Sequence, residues 1–290
     1  MRIRLSKKIG FCFGVKRAVG MAEKALDKNK SSIYSLGSII HNSQVVERLS
    51  RKGLKVIKDA GRMKGGVVVI SSHGLSPGIT KRILRRGIKI IDTTCPFVLN
   101  AQRIARRLGE EGYDVVVVGD AAHPEIKALV DFIPKGRGSR IYVVKDKHAA
   151  VRLKLGHDQK VGVISQTTQS SGNFLDVVKV ISEKRPRELR VFNTICKDAE
   201  ERQNFAGRLA KNVGMMLIIG GKNSANTRRL FEVCRKVLAD SHLIETDKDL
   251  KENWFKKRQV IGVTSGASTP DWVIRKVVNS ITRSLKQKAA

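Results

Sequence analysis

Short apolar runs punctuate the chain, and nearly every one ends in a polar, often glycine-bearing loop. Residues 33–37 lead to SIIHN, 66–70 to SSHG, 88–91 to DTTCP and 114–119 to DAAHPE. Residues 161–164 lead to SQTTQS, 190–192 to NTIC, 215–220 to GKNSAN and 260–263 to TSGAS. The runs are rich in β-branched residues and lack strict alternation, as expected of parallel strands covered on both faces. Between them, residues 98–111, 199–211 and 227–238 repeat apolar positions at helical spacing. Alternating β and α elements predict an α/β fold built on parallel sheets. In such sheets ligands bind beyond the carboxyl ends of the strands.

Three of the four cysteines, Cys12, Cys95 and Cys196, sit where a strand-like run gives way to a helix. His41 lies 29 residues after Cys12, His123 lies 28 after Cys95, and Ser224 lies 28 after Cys196. Between each cysteine and its counterpart the chain reads helix, strand, polar loop. That is one supersecondary unit used three times, with a period well beyond those of solenoid repeats. Lobes closed about a common centre would bring three thiolates to one point, which suits a metal or cluster with one position open. A lone cysteine at a strand end is ordinarily a small buried hydrophobe. Three in matching contexts, two of them in the form T-x-C (93–95 and 194–196), favour a ligand role. Cys234, inside RRLFEVCRKVL, reads as a helix-packing residue.

Composition narrows the field. A chain of 290 residues with 41% apolar positions has enough material for two or three small lobes around a sizeable core. Its longest apolar runs, such as 115–118 and 215–219, are far too short to span a membrane, and the basic start lacks a signal-peptide core. Four cysteines in so long a chain make no disulfide framework, so a reducing cytoplasm is the expected setting. Lys and Arg number 57 against 26 Asp and Glu, a formal net charge of +31. The basic residues are dispersed over 81–89, 135–140, 145–154, 183–190 and 256–258, and aromatics are only 5%. No basic run is interleaved with aromatics as a nucleic-acid stacking platform requires. The charge reads first as a solvated surface, one that attracts small anions and acidic protein partners.

The strand ends also collect His41, His73 and His123, the hydroxyls Thr167, Thr168, Ser224 and Ser268, and the amide Asn226. Singly, each histidine is as well explained as a cap. Together with helix N–H groups they make the donor set of a phosphate or diphosphate pocket. Glu125, in DAAHPE, has two readings of equal weight: a helix-start acid stabilised by the macrodipole, or a proton donor beside a bound anion. GGKNSAN and TSGASTP match neither the P-loop nor the dinucleotide fingerprint, which argues against ATP and NAD.

Taken in order, GFCFGVKRA, SIIHN, SSHG, DTTCP, AAHPE, SQTT, FNTIC followed by RQ, KNSAN and GVTSGASTPD cover almost the whole chain. This series closely resembles the 4-hydroxy-3-methylbut-2-enyl diphosphate reductase family, which acts last in the non-mevalonate isoprenoid pathway. The resemblance implies three similar lobes with pseudo-threefold symmetry around a central cluster site: 14–95, 96–193, and 194–283 plus 1–13. It implies that Cys12, Cys95 and Cys196 ligate a 4Fe–4S cluster with one open iron. It implies that Glu125 supplies protons relayed by Thr167. His41, His73, His123, Thr168, Ser224, Asn226 and Ser268 would hold the diphosphate, with Thr167 at the substrate hydroxyl. The implied products are isopentenyl and dimethylallyl diphosphate, with electrons from a ferredoxin or flavodoxin.

Two departures stand out. Ser224-Ala225-Asn226 replaces a Ser-Ser-Asn common in the family. Lys197-Asp198-Ala199 replaces an x-Ala-Thr after the third cysteine. One lost hydrogen bond to a charged group is worth roughly 1.5–3 kcal/mol. Two other classes compete with the reductase: a zinc hydrolase on the same cysteines, and a basic nucleic-acid-binding module. The last leaves unexplained why thiols, imidazoles and hydroxyls gather at strand ends.

Overall fold

A computed structural model describes residues 2–28, 31–63, 65–134, 139–255 and 260–287. The basic stretch 256–258, and positions 135–138 of the stretch 135–140, lie outside the described residues. The elements in chain order begin β1 (Arg2–Leu5), α1 (Phe13–Lys28), β2 (Ile33–Leu36), α2 (Ser43–Arg51), β3 (Leu54–Ile57), β4 (Val67–Ile70), α3 (Pro77–Arg85) and β5 (Lys89–Asp92). They continue with α4 (Pro96–Glu110), β6 (Asp114–Val118), α5 (Pro124–Val130), β7 (Ile141–Val144), α6 (Lys147–Val151), β8 (Lys160–Ser165), α7 (Ser171–Glu183) and β9 (Glu188–Val191). The remainder is α8 (Lys197–Ala210), β10 (Met215–Ile219), α9 (Ala225–Val237), β11 (Ser241–Ile244), β12 (Val260–Ser265) and α10 (Asp271–Gln287).

The strands form three four-stranded, all-parallel sheets ordered β3-β2-β4-β5, β7-β6-β8-β9 and β11-β10-β12-β1. Each lobe thus winds its sheet in the same order. The third borrows its fourth strand from the N-terminus, so β1 does there what β5 and β9 do in the others. The predicted α/β class, three lobes of parallel sheet flanked by helices, is the observed one.

Burial explains the continuous apolar runs. In β6, Val115 and Val117 enter one core with Ala101, Leu108 and Ile126, while Val116 and Val118 enter another with Phe174 and Val177. In β10, Met215, Leu217 and Ile219 face Val273 and Val277, and Met216 and Ile218 face Ala206 and Leu230. A strand with a core on each face needs apolar residues at every position. Four strands were not foreseen: β1 (RIRL), β3 (LKVI), β7 (IYVV) and β11 (SHLI). Each is an edge strand of its sheet. Edge strands are partly wet, so polar residues interrupt β1, β3 and β11 and fade their apolar signal, whereas β7 is apolar and was passed over.

The chain divides into two compact units. One comprises Met1–Lys16, Ile40–Glu47 and Lys197–Ala290; the other comprises Arg17–Ile39 and Arg48–Cys196. The first holds the sheet of β1, β10, β11 and β12, and the second holds the other two. Residues 40–47 are tied into the first unit by side-chain bonds. The Ser268 hydroxyl donates to the His41 carbonyl at 3.1 Å, and the Gln44 amide donates to the Glu245 carbonyl at 3.0 Å. Gly221 admits this segment, since a Cβ there would lie 2.6 Å from the His41 carbonyl oxygen. Among the described residues no helix is long and apolar enough to cross a membrane.

Candidate functional site

Each cysteine follows the fourth strand of its lobe and is pinned by the same backbone bond. Cys95 donates its N–H to the Ser72 carbonyl at 3.0 Å, Cys196 to Thr167 at 2.8 Å and Cys12 to Ala267 at 3.1 Å. The acceptors sit at matching places in three tight turns. Gly74 closes onto Ser71, Gln169 onto Gln166, and Thr269 onto Gly266, at 3.0–3.1 Å. Gly74 takes φ +83° and lies so close to Gln102 that a Cβ would meet its Nε2 at 2.5 Å. Only glycine serves there.

The T-x-C form also has a local cause. Asp92 accepts the Thr94 N–H at 2.8 Å, and Asn193 accepts the Ile195 N–H at 3.1 Å, so both segments make Asx turns. Thr93 then donates to the Ile70 carbonyl and Thr194 to the Ser165 carbonyl, both at 2.5 Å. The threonine anchors the turn to the neighbouring strand and the cysteine is presented next. None of the three is in a disulfide and all are half-buried, whereas Cys234 is buried with its thiol pushed up to about 12. Burial also pushes the Cys12 thiol up from its ordinary range.

Within the unit of Arg17–Ile39 and Arg48–Cys196, the structure brings together Glu125, Thr167, His123 and His73. Glu125 is 2% exposed. Its carboxylate accepts the Thr167 N–H at 2.7 Å on one oxygen and the Thr167 hydroxyl at 2.8 Å on the other. Burial pushes its pKa up to about 6, against the two hydrogen bonds, which favour the charged form. That position suits an acid that must give up a proton near neutrality. His123 caps α5, its Nδ1 accepting the Glu125 N–H at 3.2 Å. An accepting Nδ1 leaves the ring proton on Nε2, a donor. The His73 ring meets His123 edge to face at 5.4 Å between centroids. Thr168 is half-buried beside Thr167.

Within the unit containing Lys197–Ala290, the corresponding cap is Ser224, whose hydroxyl accepts the Thr227 N–H at 3.3 Å at the head of α9. Asn226 stands two residues past its cap, as Glu125 does past His123. It is 5% exposed, and neither its Oδ1 nor its Nδ2 has a hydrogen-bond partner. A buried amide left unsatisfied costs about 1–3 kcal/mol at each end, which a ligand offering both polarities removes. Ser268 is buried, its hydroxyl engaged by His41. Burial lowers the His41 pKa below its usual value, and Arg228 lowers it further, so its ring is neutral at pH 7.

The structure adds residues that pattern reading passed over. Asn42, rather than His41, caps α2, its Oδ1 accepting the Val45 N–H at 3.0 Å. The loop is one residue longer there than before α5 and α9, so the cap falls on the residue after His41. Gln166 is buried: its Oε1 accepts the Asp120 N–H at 3.1 Å and its Nε2 has no partner. Arg202, one turn into α8, is 2% exposed and paired with Asp198 at 2.6 Å. The Gln in SQTTQ and the RQ after NTIC were the available signals. Nothing in composition marked them as buried.

Each of the three cysteines, held by its backbone after the last strand of its sheet, offers a soft thiolate of the kind that iron–sulfur clusters take. Within its own unit, the buried amide of Asn226 offers both a donor and an acceptor to a ligand.

A family model described as LytB protein matches residues 3–282. The chain is 44% identical over 281 residues to the 4-hydroxy-3-methylbut-2-enyl diphosphate reductase of Geobacter metallireducens, covering 97% of each. It is 45% identical over 281 residues to that of Geobacter sulfurreducens, again covering 97% of each. Among solved structures it is similar to the E-1-hydroxy-2-methyl-but-2-enyl-4-diphosphate reductase of Plasmodium falciparum, with a TM-score of 0.90 and 26% identity over 96% of this chain and 87% of that one. A second, titled as (E)-4-hydroxy-3-methyl-but-2-enyl diphosphate reductase, the terminal enzyme of the non-mevalonate pathway, has a TM-score of 0.69. It shares 36% identity and covers 98% of this chain and 100% of that one. Identity at this level, sustained along nearly the whole length, settles descent: the chain belongs to the LytB family of 4-hydroxy-3-methylbut-2-enyl diphosphate reductases.

Proposed function

We propose that this chain reductively removes the hydroxyl of 4-hydroxy-3-methylbut-2-enyl diphosphate, giving isopentenyl and dimethylallyl diphosphate. The observation that carries the reading is the buried Glu125–Thr167 pair beside two imidazoles, in a chain whose three strand-end cysteines form no disulfide. When bound, a 4Fe–4S cluster held by Cys12, Cys95 and Cys196 would pass two electrons, one at a time, from a reduced carrier and would act as a Lewis acid toward the substrate hydroxyl. The balance is two electrons and two protons in, with one water out. The hydroxyl leaves as that water with one proton, and the second proton goes to carbon.

The residues divide the remaining work. His41, His73, His123, Ser224, Asn226 and Ser268 bind the diphosphate, with Thr168 beside them. Protonated Glu125 donates to the Thr167 hydroxyl, which turns its own proton toward the departing oxygen. Burial and Arg228 disfavour the charged form of His41, which suits it to binding as a neutral imidazole. The lobes are residues 14–95, 96–193, and 194–283 with 1–13. The setting is the cytoplasm, whose reducing poise keeps the thiols free. A ferredoxin or flavodoxin delivers the electrons, and the net charge of +31 favours docking an acidic carrier.

Anaerobic purification with iron and sulfide analysis, followed by turnover of the diphosphate with reduced methyl viologen, tests the reading. The expected result is a brown protein with about four irons and four sulfides per chain that converts the substrate. A colourless protein holding a single zinc and no sulfide would refute it.

A further inference from the structure

A cleft of about 350 Å³ lies between α4 and the segment that continues β9, lined by Arg103, Arg107, Arg190, Ile104, Glu111 and Phe192 among others. Both walls lead to cysteines. Cys95 is the N-cap of α4, and Phe192 lies four residues before Cys196. The near end, at Asn100, is about 8 Å of helix from Cys95. The far wall is the outer strand β9, which pairs on one side only.

The cleft is cationic with an apolar margin. Its carboxylate, Glu111, is already shared by Arg107 at 2.6 Å and Arg190 at 2.5 Å. Arg103 donates to Asn100 at 2.7 Å and meets no carboxylate among the described residues. Three guanidiniums against one acid leave the lining net positive. Phe97 and Leu99, in the first turn of α4, are exposed large hydrophobics. An apolar margin beside unmatched arginines is the make-up of a transient protein interface rather than of a solvated face.

We infer that the α4–β9 cleft is the docking site of a small acidic electron-carrier protein, which passes electrons inward along the two segments that end at Cys95 and Cys196. This rests on the reductase reading above. The carrier's carboxylates engage Arg103 and Arg107, and its apolar patch around the redox group covers Phe97 and Leu99. Arg190 is a wall component: it lies 4.8 Å over the Tyr113 ring and pairs with Glu188.

The test compares two electron sources in the cluster-loaded full chain. In the Arg103→Glu/Arg107→Glu variant, the KM for a reduced flavodoxin should rise at least about tenfold and lose most of its salt dependence. Turnover with reduced methyl viologen, a small dication that needs no docking site, should stay within about twofold of the parent. Arg103→Gln/Arg107→Gln should fall between, and guards against a fold disturbed by charge reversal. Lys81→Glu/Arg82→Glu on α3, an equal charge change at exposed positions, should leave both assays unchanged. The proposal is overturned if the flavodoxin KM does not move, if the α3 control raises it equally, or if only salt-sensitive RNA binding is lost. Absence of viologen turnover in the parent protein would instead sink the reductase reading, so the two failures are distinguishable.

Discussion

The second residue past the cap is Glu125 in α5 and Asn226 in α9, and the two lobes treat it in opposite ways. Each follows a capping side chain, His123 or Ser224, at the end of a fully buried central strand. Each lobe has a tight turn after its third strand whose second residue accepts the cysteine N–H. That residue is Thr167 in one and Ala267 in the other. Thr167 has a hydroxyl and saturates the carboxylate of Glu125, whereas Ala267 has none and Asn226 keeps both amide atoms unsatisfied. One scaffold position therefore yields a wired acid in one lobe and an open amide in the other. A threonine in place of an alanine at the turn accompanies a bonded carboxylate in place of an open amide.

The largest expected effect breaks the relay. Glu125→Gln keeps the shape and the backbone bond but carries no transferable proton, so turnover should fall by about 10²–10⁴-fold. Iron and sulfide content should match the parent, and unchanged turnover would remove Glu125 from the proton path. Next, Asn226→Ala takes away the open amide. The KM for the diphosphate should rise about 10- to 100-fold while kcat holds, measured in the viologen assay. Loss of kcat with KM intact would assign Asn226 to the chemistry and void the contrast.

Exchanging the discriminating residue sharpens the comparison. Thr167→Ala removes a hydrogen bond that favours ionised Glu125, so the carboxyl pKa rises above its value of about 6. The descending limb of kcat against pH should then move to higher pH, with the maximum reduced about tenfold. Conversely, Ala267→Thr offers Asn226 an internal partner and should raise the diphosphate KM a few-fold. A pH profile unmoved by Thr167→Ala would mean that Glu125 does not set it.

The smallest effect is on stability. The folded-state pKa of Glu125 is raised above the unfolded value of 4.5, so its contribution is most favourable below that pH and is lost as pH rises through about 6. The loss amounts to about 2 kcal/mol. Glu125→Gln should therefore unfold at higher denaturant than the parent at pH 8, with the gap closing below pH 4.5. A gap that is the same at both pH values would contradict burial as the cause.

Much of this was legible in the chain. The central strands announce themselves because both faces are buried, which demands apolar residues at every position, as in VVVI of β4 and MMLII of β10. The T-x-C turns were visible because their Asx geometry is local, whereas the strand that each threonine anchors to was not. The edge strands β1, β3 and β11 were not, since partial exposure admits polar residues and breaks the run, and β7, though apolar, was passed over. Asn42 was missed because a one-residue change in loop length shifts the cap without altering the motif.

Sequence alone determined the parallel α/β lobes, the three strand-end thiols and the polar loops that follow each strand, because each is written in neighbouring residues. Tertiary structure decided that Glu125 is bonded by a threonine 42 positions away while Asn226 finds no partner. It also decided that β1 completes the sheet of β10, β11 and β12. Which strands lie side by side, and so which loops share an edge, depends on how buried faces pack together. That choice depends on the whole folded lobe and is not encoded in any one segment.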